Sequence, residues 1–252
     1  MKAEWLRVVV ILGISGMAGC KDEPAVQRVA PPTASLSQPS VGATRFSVAN
    51  TGTASFLIDA PLEKIKGHSG KVRGEITLDP ADLMTTRGEV DVDLMDLVTE
   101  TFDDAGKNAT QTGHAHNWLE IGDDVEATRR EENRFARFTI RSVENVSSKL
   151  ADAPEKNGER TVMVSARGEL WVHGVTSPRA IKLSASFQGP PAAPTALHVT
   201  TIEPLALSLK EHDIKPRDVA GKFLNGALEK VGKKIDDVVQ ISLDITARSG
   251  KS

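Results

Sequence analysis

Two histidines two positions apart, His114 and His116, with Asp103, Asp104 and Glu120 near them, form the compact set in this chain that could ligate a metal. From a strand or loop such imidazoles can converge, whereas on a helix that spacing turns them about 200° apart. Zinc sites take three or four protein ligands. No cysteine or third histidine stands nearby, so no metal is expected. Asp91 and Asp93 share a strand face and mimic a carboxylate pair, but they alternate with Val90 and Val92 and read as a solvated outer face. His173 falls on the polar face of its strand, bonded within the hairpin turn that follows. Gly67, Gly70 and Gly74 lack phosphate-loop spacing and read as strand kinks or bulges. No Gly-x-Ser-x-Gly elbow occurs. These residues give no catalytic constellation, and an enzyme is not expected.

Cys20 is the sole cysteine of 252 residues, which rules out an intrachain disulfide and thiolate metal chemistry. Lys2 and Arg7 precede a short apolar stretch from Val8 to Met17, and Met17-Ala-Gly-Cys20 ends it. About ten apolar residues fall well short of the ~20 that span a bilayer, and small residues at that point mark a secretory cleavage site. The order resembles a bacterial lipoprotein signal with Cys20 acylated as the mature N-terminus; the alternative is ordinary cleavage after Ala18. Residues 1–19 are therefore the signal, and 20–45 the acylated cysteine and a flexible linker. Pro24, Pro31, Pro32 and Pro39 space that linker without an apolar period. Lys21 is not the aspartate of inner-membrane retention, which points to the outer membrane and a periplasm-facing protein of the bacterial cell envelope. Loss of Lys2, Arg7 and Glu4 moves the net charge from −3 to about −4, so nucleic acid is not an expected partner.

The elements that must position any site are strands. Leu170 and Val172 alternate with Glu169, Trp171 and His173; after turn chemistry from Gly174 to Pro178, Ile181, Leu183, Ala185 and Phe187 alternate with Lys182, Ser184 and Ser186. That is an antiparallel hairpin. The same period of two recurs at 53–60, 72–79, 90–94, 137–141, 162–166, 205–209 and 239–245. Eight or nine half-buried strands in one domain, 46–249, fit a sandwich or a closed barrel equally well. Two segments carry a helical period instead. Ala115, Trp118 and Leu119 predict a short helix over 108–121 with Gly122 as its cap, and Val219, Phe223, Ala227 and Val231 predict another over 218–231. Trp118 and Phe223 are candidates for a barrel mouth or lid.

Gly168-Glu-Leu-Trp-Val-His-Gly-Val-Thr-Ser-Pro178 closely resembles the signature hairpin of the YceI-like family. Lys64-Ile-Lys-Gly-His-Ser-Gly-Lys-Val-Arg-Gly-Glu-Ile-Thr-Leu-Asp79 is similar to the family's early strand, and Arg134-Phe-Ala-Arg-Phe-Thr-Ile-Arg-Ser142 to a later one. Where the family has Arg-Asp-x-His-Leu, this chain has Gln111-Thr-Gly-His-Ala-His116. The resemblance, over 46 to about 247, implies an all-β fold: a lipocalin-like antiparallel β-barrel of about eight strands with one or two short helices. It further implies a periplasmic binding protein holding a polyisoprenoid, or the tail of an isoprenoid quinone, with no other cofactor. In a water-soluble barrel the apolar phase points inward, so Phe56, Ile58, Ile76, Val90, Val92, Phe138, Ile140, Leu183 and Phe187 are expected to line the lumen. The alternative is a barrel filled by these side chains, serving as an envelope scaffold or partner-binding lipoprotein.

Overall fold

The computed structural model describes residues 28–31, 42–50, 52–59, 64–216 and 237–250. The expected signal, Cys20 and the helix expected over 218–231 with Phe223 lie outside the described residues. Thirteen strands form one sheet: β1 (Thr44–Ala49), β2 (Gly52–Asp59), β3 (Lys64–Ser69), β4 (Val72–Asp79), β5 (Asp82–Asp93), β6 (Val98–Thr99), β7 (Phe135–Glu144), β8 (Glu155–Lys156), β9 (Glu159–Val172), β10 (Val175–Gln188), β11 (Ala196–Thr201), β12 (Leu205–Ser208) and β13 (Val238–Ser249). The order β1-β4-β5-β7-β9-β10-β11-β13 returns to β1 through Phe46–Ser249 and Ser47–Arg248, closing an antiparallel ring of eight strands. Closure leaves the ring no edge, and eight strands enclose an interior about one layer of side chains wide.

β2 continues β1 along β13, but with an offset: Ser47 faces Arg248 while Gly52 faces Ile245. The extra residues are absorbed where Asn50 adopts φ +53°, a left-handed conformation that asparagine tolerates. β3 and β4 likewise run on past Gly70 and pair with β2 and β1 in turn. Gly67 and Gly168 mark close approaches rather than bulges. A Cβ on Gly67 would stand 2.1 Å from the Val98 carbonyl oxygen, and one on Gly168 2.1 Å from that of Thr139. The rings of Phe56 and Phe138 cover the bare backbone instead.

The inward phase builds two clusters. One holds Phe46, Val72, Leu78, Val162, Phe187 and Ile245, at the end carrying the β4–β5 turn; the other holds Ile58, Trp118, Leu170, Val172, Leu207 and Val239, at the end carrying the β9–β10 turn. Val164 and Leu183 pack against both. Among the described residues, the helices α1 (Ala105–Trp118) and α2 (Ala127–Asn133) lie at the second end. Asp104 caps α1 by accepting from the Lys107 amide at 2.9 Å. The helix starts three residues before the expected one and ends earlier. Its left-handed terminator is Glu120, φ +55°, and not Gly122.

Candidate functional site

Between the two clusters the barrel encloses a cavity. The empty space within it, counted together with the solvent at its opening, is about 730 Å³. β4, β5, β7, β9, β10, β11 and β13 all contribute inward residues to it. Along β10, Ile181, Leu183, Ala185 and Phe187 line it in strict alternation, a run of roughly 20 Å at ~3.3 Å per residue. Thr86 is the polar lining residue, and its hydroxyl donates to the Leu83 carbonyl at 2.6 Å. Such an apolar wall can receive a hydrocarbon chain.

Of the nine residues expected in the lumen, Ile76, Val90, Phe138, Ile140, Leu183 and Phe187 line this cavity. Phe56 and Ile58 belong to the second cluster, and Val92 packs against the first. None of the three lines the cavity. Trp118 is buried in the second cluster at the end of α1.

The polar outer face departs from expectation. Asp91 and Asp93 are buried, not solvated. Arg137 donates from Nε and Nη2 to the two Asp91 oxygens at 2.7 and 2.9 Å, and Arg134 reaches Asp93 at 2.9 Å. Arg73 approaches Asp91 at 3.6 Å and lies 4.2 Å above the Phe135 ring. The Asp91 hydrogen bond holds the Arg137 guanidinium above its ordinary pKa, as Asp93 does for Arg134.

His173 is also no turn-bonded surface residue. It sits at φ +52° in the β9–β10 turn and is only 1% exposed. Its Nδ1 donates to the His212 carbonyl at 3.1 Å, which leaves Nε2 as the unprotonated nitrogen, 3.4 Å from Glu120. His212, fully buried, accepts from the Ser177 hydroxyl at 3.1 Å. Burial lowers the pKa of both rings, so they are neutral at pH 7. Burial pulls the Glu120 carboxyl upward, but the Arg129 hydrogen bond and the surrounding positive charge, that of Arg129 ahead of that of Arg28, outweigh it and leave the pKa low. Glu120 Oε2 takes Arg129 at 2.8 Å and Arg28 at 3.4 Å. These groups join the turns of the second end. His114 and His116 both lie on α1, His116 Nε2 donating to the Leu97 carbonyl at 3.0 Å. Among the described residues no three His, Cys, Asp or Glu side chains stand together as a metal set.

Part of the expected spacer lies on this end. The Val29 amide donates to the Gly174 carbonyl at 2.7 Å, and Trp171 Nε1 donates to the Val29 carbonyl at 2.9 Å. Trp171 is on the outward phase yet buried, 142 positions along the chain from the residue it bonds.

No curated protein matches the chain. Among solved structures, a polyisoprenoid binding domain from Saccharophagus degradans, implicated in plant cell wall breakdown, is similar at 14% identity, covering 82% of this chain and 99% of its own, with a TM-score of 0.53. Burkholderia cenocepacia BcnA is 13% identical over 77% of this chain and 95% of its own, TM-score 0.49. A Campylobacter jejuni YceI protein is 11% identical over 74% and 85%, TM-score 0.44. At such identity the first likeness speaks to the fold. The YceI-like domain model matches residues 44–247, from β1 through nearly all of β13, and the chain therefore belongs to the YceI-like family.

Proposed function

We propose that the protein is a lipid-anchored periplasmic binding protein that holds a polyisoprenoid, or the isoprenoid tail of a quinone, in the barrel cavity. The observation that carries this reading is the cavity wall: apolar side chains from seven strands, with its lone hydroxyl already bonded within the protein. The Saccharophagus degradans domain, described as polyisoprenoid binding, supports the ligand class. Each buried CH₂ contributes roughly 0.8 kcal/mol, so two or three five-carbon units give about 8–12 kcal/mol before association costs. Recognition then needs no hydrogen bond, and slimness and length select the ligand. The signal-like start, the sole cysteine and the proline-spaced segment after it support acylation of Cys20 and an address at the outer membrane.

Organic extraction of the natively purified protein, followed by mass spectrometry, tests the reading. A stoichiometric polyprenyl compound is the expected result. Repeatedly empty extracts from folded protein would favour the filled barrel acting as an envelope scaffold.

A further inference from the structure

We propose that Arg28–Ala30 is a strap that turns the α1-bearing end of the barrel toward the membrane and holds it there. This rests on the proposed acylation of Cys20. Arg28 fixes the strap to two turns at once, donating to Asp213 at 3.1 Å and pairing with Glu120 at 3.4 Å. Its neighbour Val29 bonds through both backbone groups, to the Gly174 carbonyl and the Trp171 indole. The Arg28 side chain crosses Gly174 so closely that a Cβ there would meet its methylenes at 3.1 Å. These contacts cover an otherwise outward tryptophan, which is what a built seat for the segment requires.

The consequence is a matter of reach. A leash free from Cys20 to Thr44 would span up to about 80 Å at ~3.4 Å per residue, and every orientation of the barrel would be open to it. With Arg28 seated, only eight steps separate it from Cys20, about 28 Å at full extension. The β9–β10 turn and the Glu120 cluster must then lie near the lipid surface. The β4–β5 turn, at the opposite end of strands that run some 35–45 Å, lies far from it. The cavity sits nearer that distant end, where Leu78, Leu83 and Phe187 line it.

The chain supplies its own reporters. Without residues 1–19 its tryptophans are Trp118, in the cluster at the strapped end, and Trp171, bonded to the strap itself. The mature chain, 20–252, would be coupled through its single thiol at Cys20 to a maleimide lipid in phosphatidylcholine vesicles containing a dansyl-headgroup lipid. Energy transfer from tryptophan to dansyl should be strong in the wild type and fall several-fold in Arg28→Ala/Val29→Pro, which removes the ion pairs and the amide donor. In a Trp118→Phe/Trp171→Phe background, Met84→Trp at the far, exposed turn should transfer weakly. Equal transfer from wild type and strap variant, or from the two ends, would overturn the strap. Hydrogen exchange of the uncoupled chain gives a second measure. A Val29 amide that exchanges as fast as an unfolded peptide would also overturn it. Because the lipid is attached chemically, failed acylation in cells would count against the anchor alone.

Discussion

Asp91 and Arg137 stand directly opposite each other on β5 and β7 and meet through two near-parallel hydrogen bonds, 2.7 and 2.9 Å long, on the outside of the barrel. Arg137 also reaches Glu89 at 3.1 Å, so one guanidinium ties two carboxylates of β5. Such a fork is stronger than a point contact and fixes register as well as distance. Its removal is costly mainly because the partner stays behind, buried and uncompensated. Arg137→Met should lower stability in urea by about 3 kcal/mol, and Asp91→Asn/Arg137→Met should recover part of that loss. A double variant no better than the single one would show that the pair does not act as a unit.

The buried histidines set a pH dependence. Both His173 and His212 have folded pKa values below their ordinary 6.5, burial being the main cause. The unfolded chain therefore binds protons first as pH falls below about 6.5, and stability is lost from there downward, by at most about 1.4 kcal/mol per pH unit for each ring. Arg28, Glu120 and Arg129 face His173, while Glu211 and Arg179 act on His212. Urea midpoints between pH 7.5 and 5 should fall in the wild type and fall less in His173→Asn, a residue that accepts the positive φ at that turn. An unchanged slope in the variant would remove His173 from the account.

Occupancy of the cavity is open to a small change. Ala185 lines it on β10, and Leu in its place would grow into the free volume. Ala185→Leu should cut extracted polyprenyl lipid by more than half while leaving the melting temperature within a few degrees, since it fills space instead of displacing packed atoms. Val92→Trp would act differently, overpacking the first cluster away from the cavity wall. Full lipid content in folded Ala185→Leu would place the ligand elsewhere.

Replacing Cys20 with Ser removes the sole thiol. Incorporation of a palmitate analogue should vanish, along with any detergent-dependent membrane pool. Equal labelling of wild type and Cys20→Ser, or a wild type wholly soluble in the periplasm, would contradict the anchor.

The wall strands were legible where alternation ran long enough to set a phase, as in 72–79, 90–94 and 239–245. β1 offers only Phe46 and Val48 inward, and the inward positions of β3 are Ile65, Gly67 and Ser69, so neither announces itself by hydropathy. Six of the nine expected lumen residues line the cavity, while Phe56, Ile58 and Val92 pack in the adjoining clusters. Which of them border empty space depends on how neighbouring strands pack, and no single strand records that. The errors on the outer face share one cause. Asp91, His173 and Trp171 look exposed by alternation, yet each is covered by a group distant in sequence: Arg137, the His212 turn and Val29. Periodicity reports which face a residue occupies; it does not report what will be laid over that face.

β13 pairs with β1, β2, β11 and β12, so the final strand is the one that shuts the ring. Its partners Phe46 and Ser47 lie roughly two hundred residues upstream. Contacts so remote in sequence make for slow folding, because a very large loop must close before the contact stabilises anything. A chain emerging N-terminus first can form the β9–β10 hairpin early but cannot complete a barrel until β13 is free to pair. Until then the edges of β1 and β11 stay open to other strands, a window in which aggregation competes with closure. Truncation before Val238 should therefore yield an aggregating open sheet and not a smaller barrel.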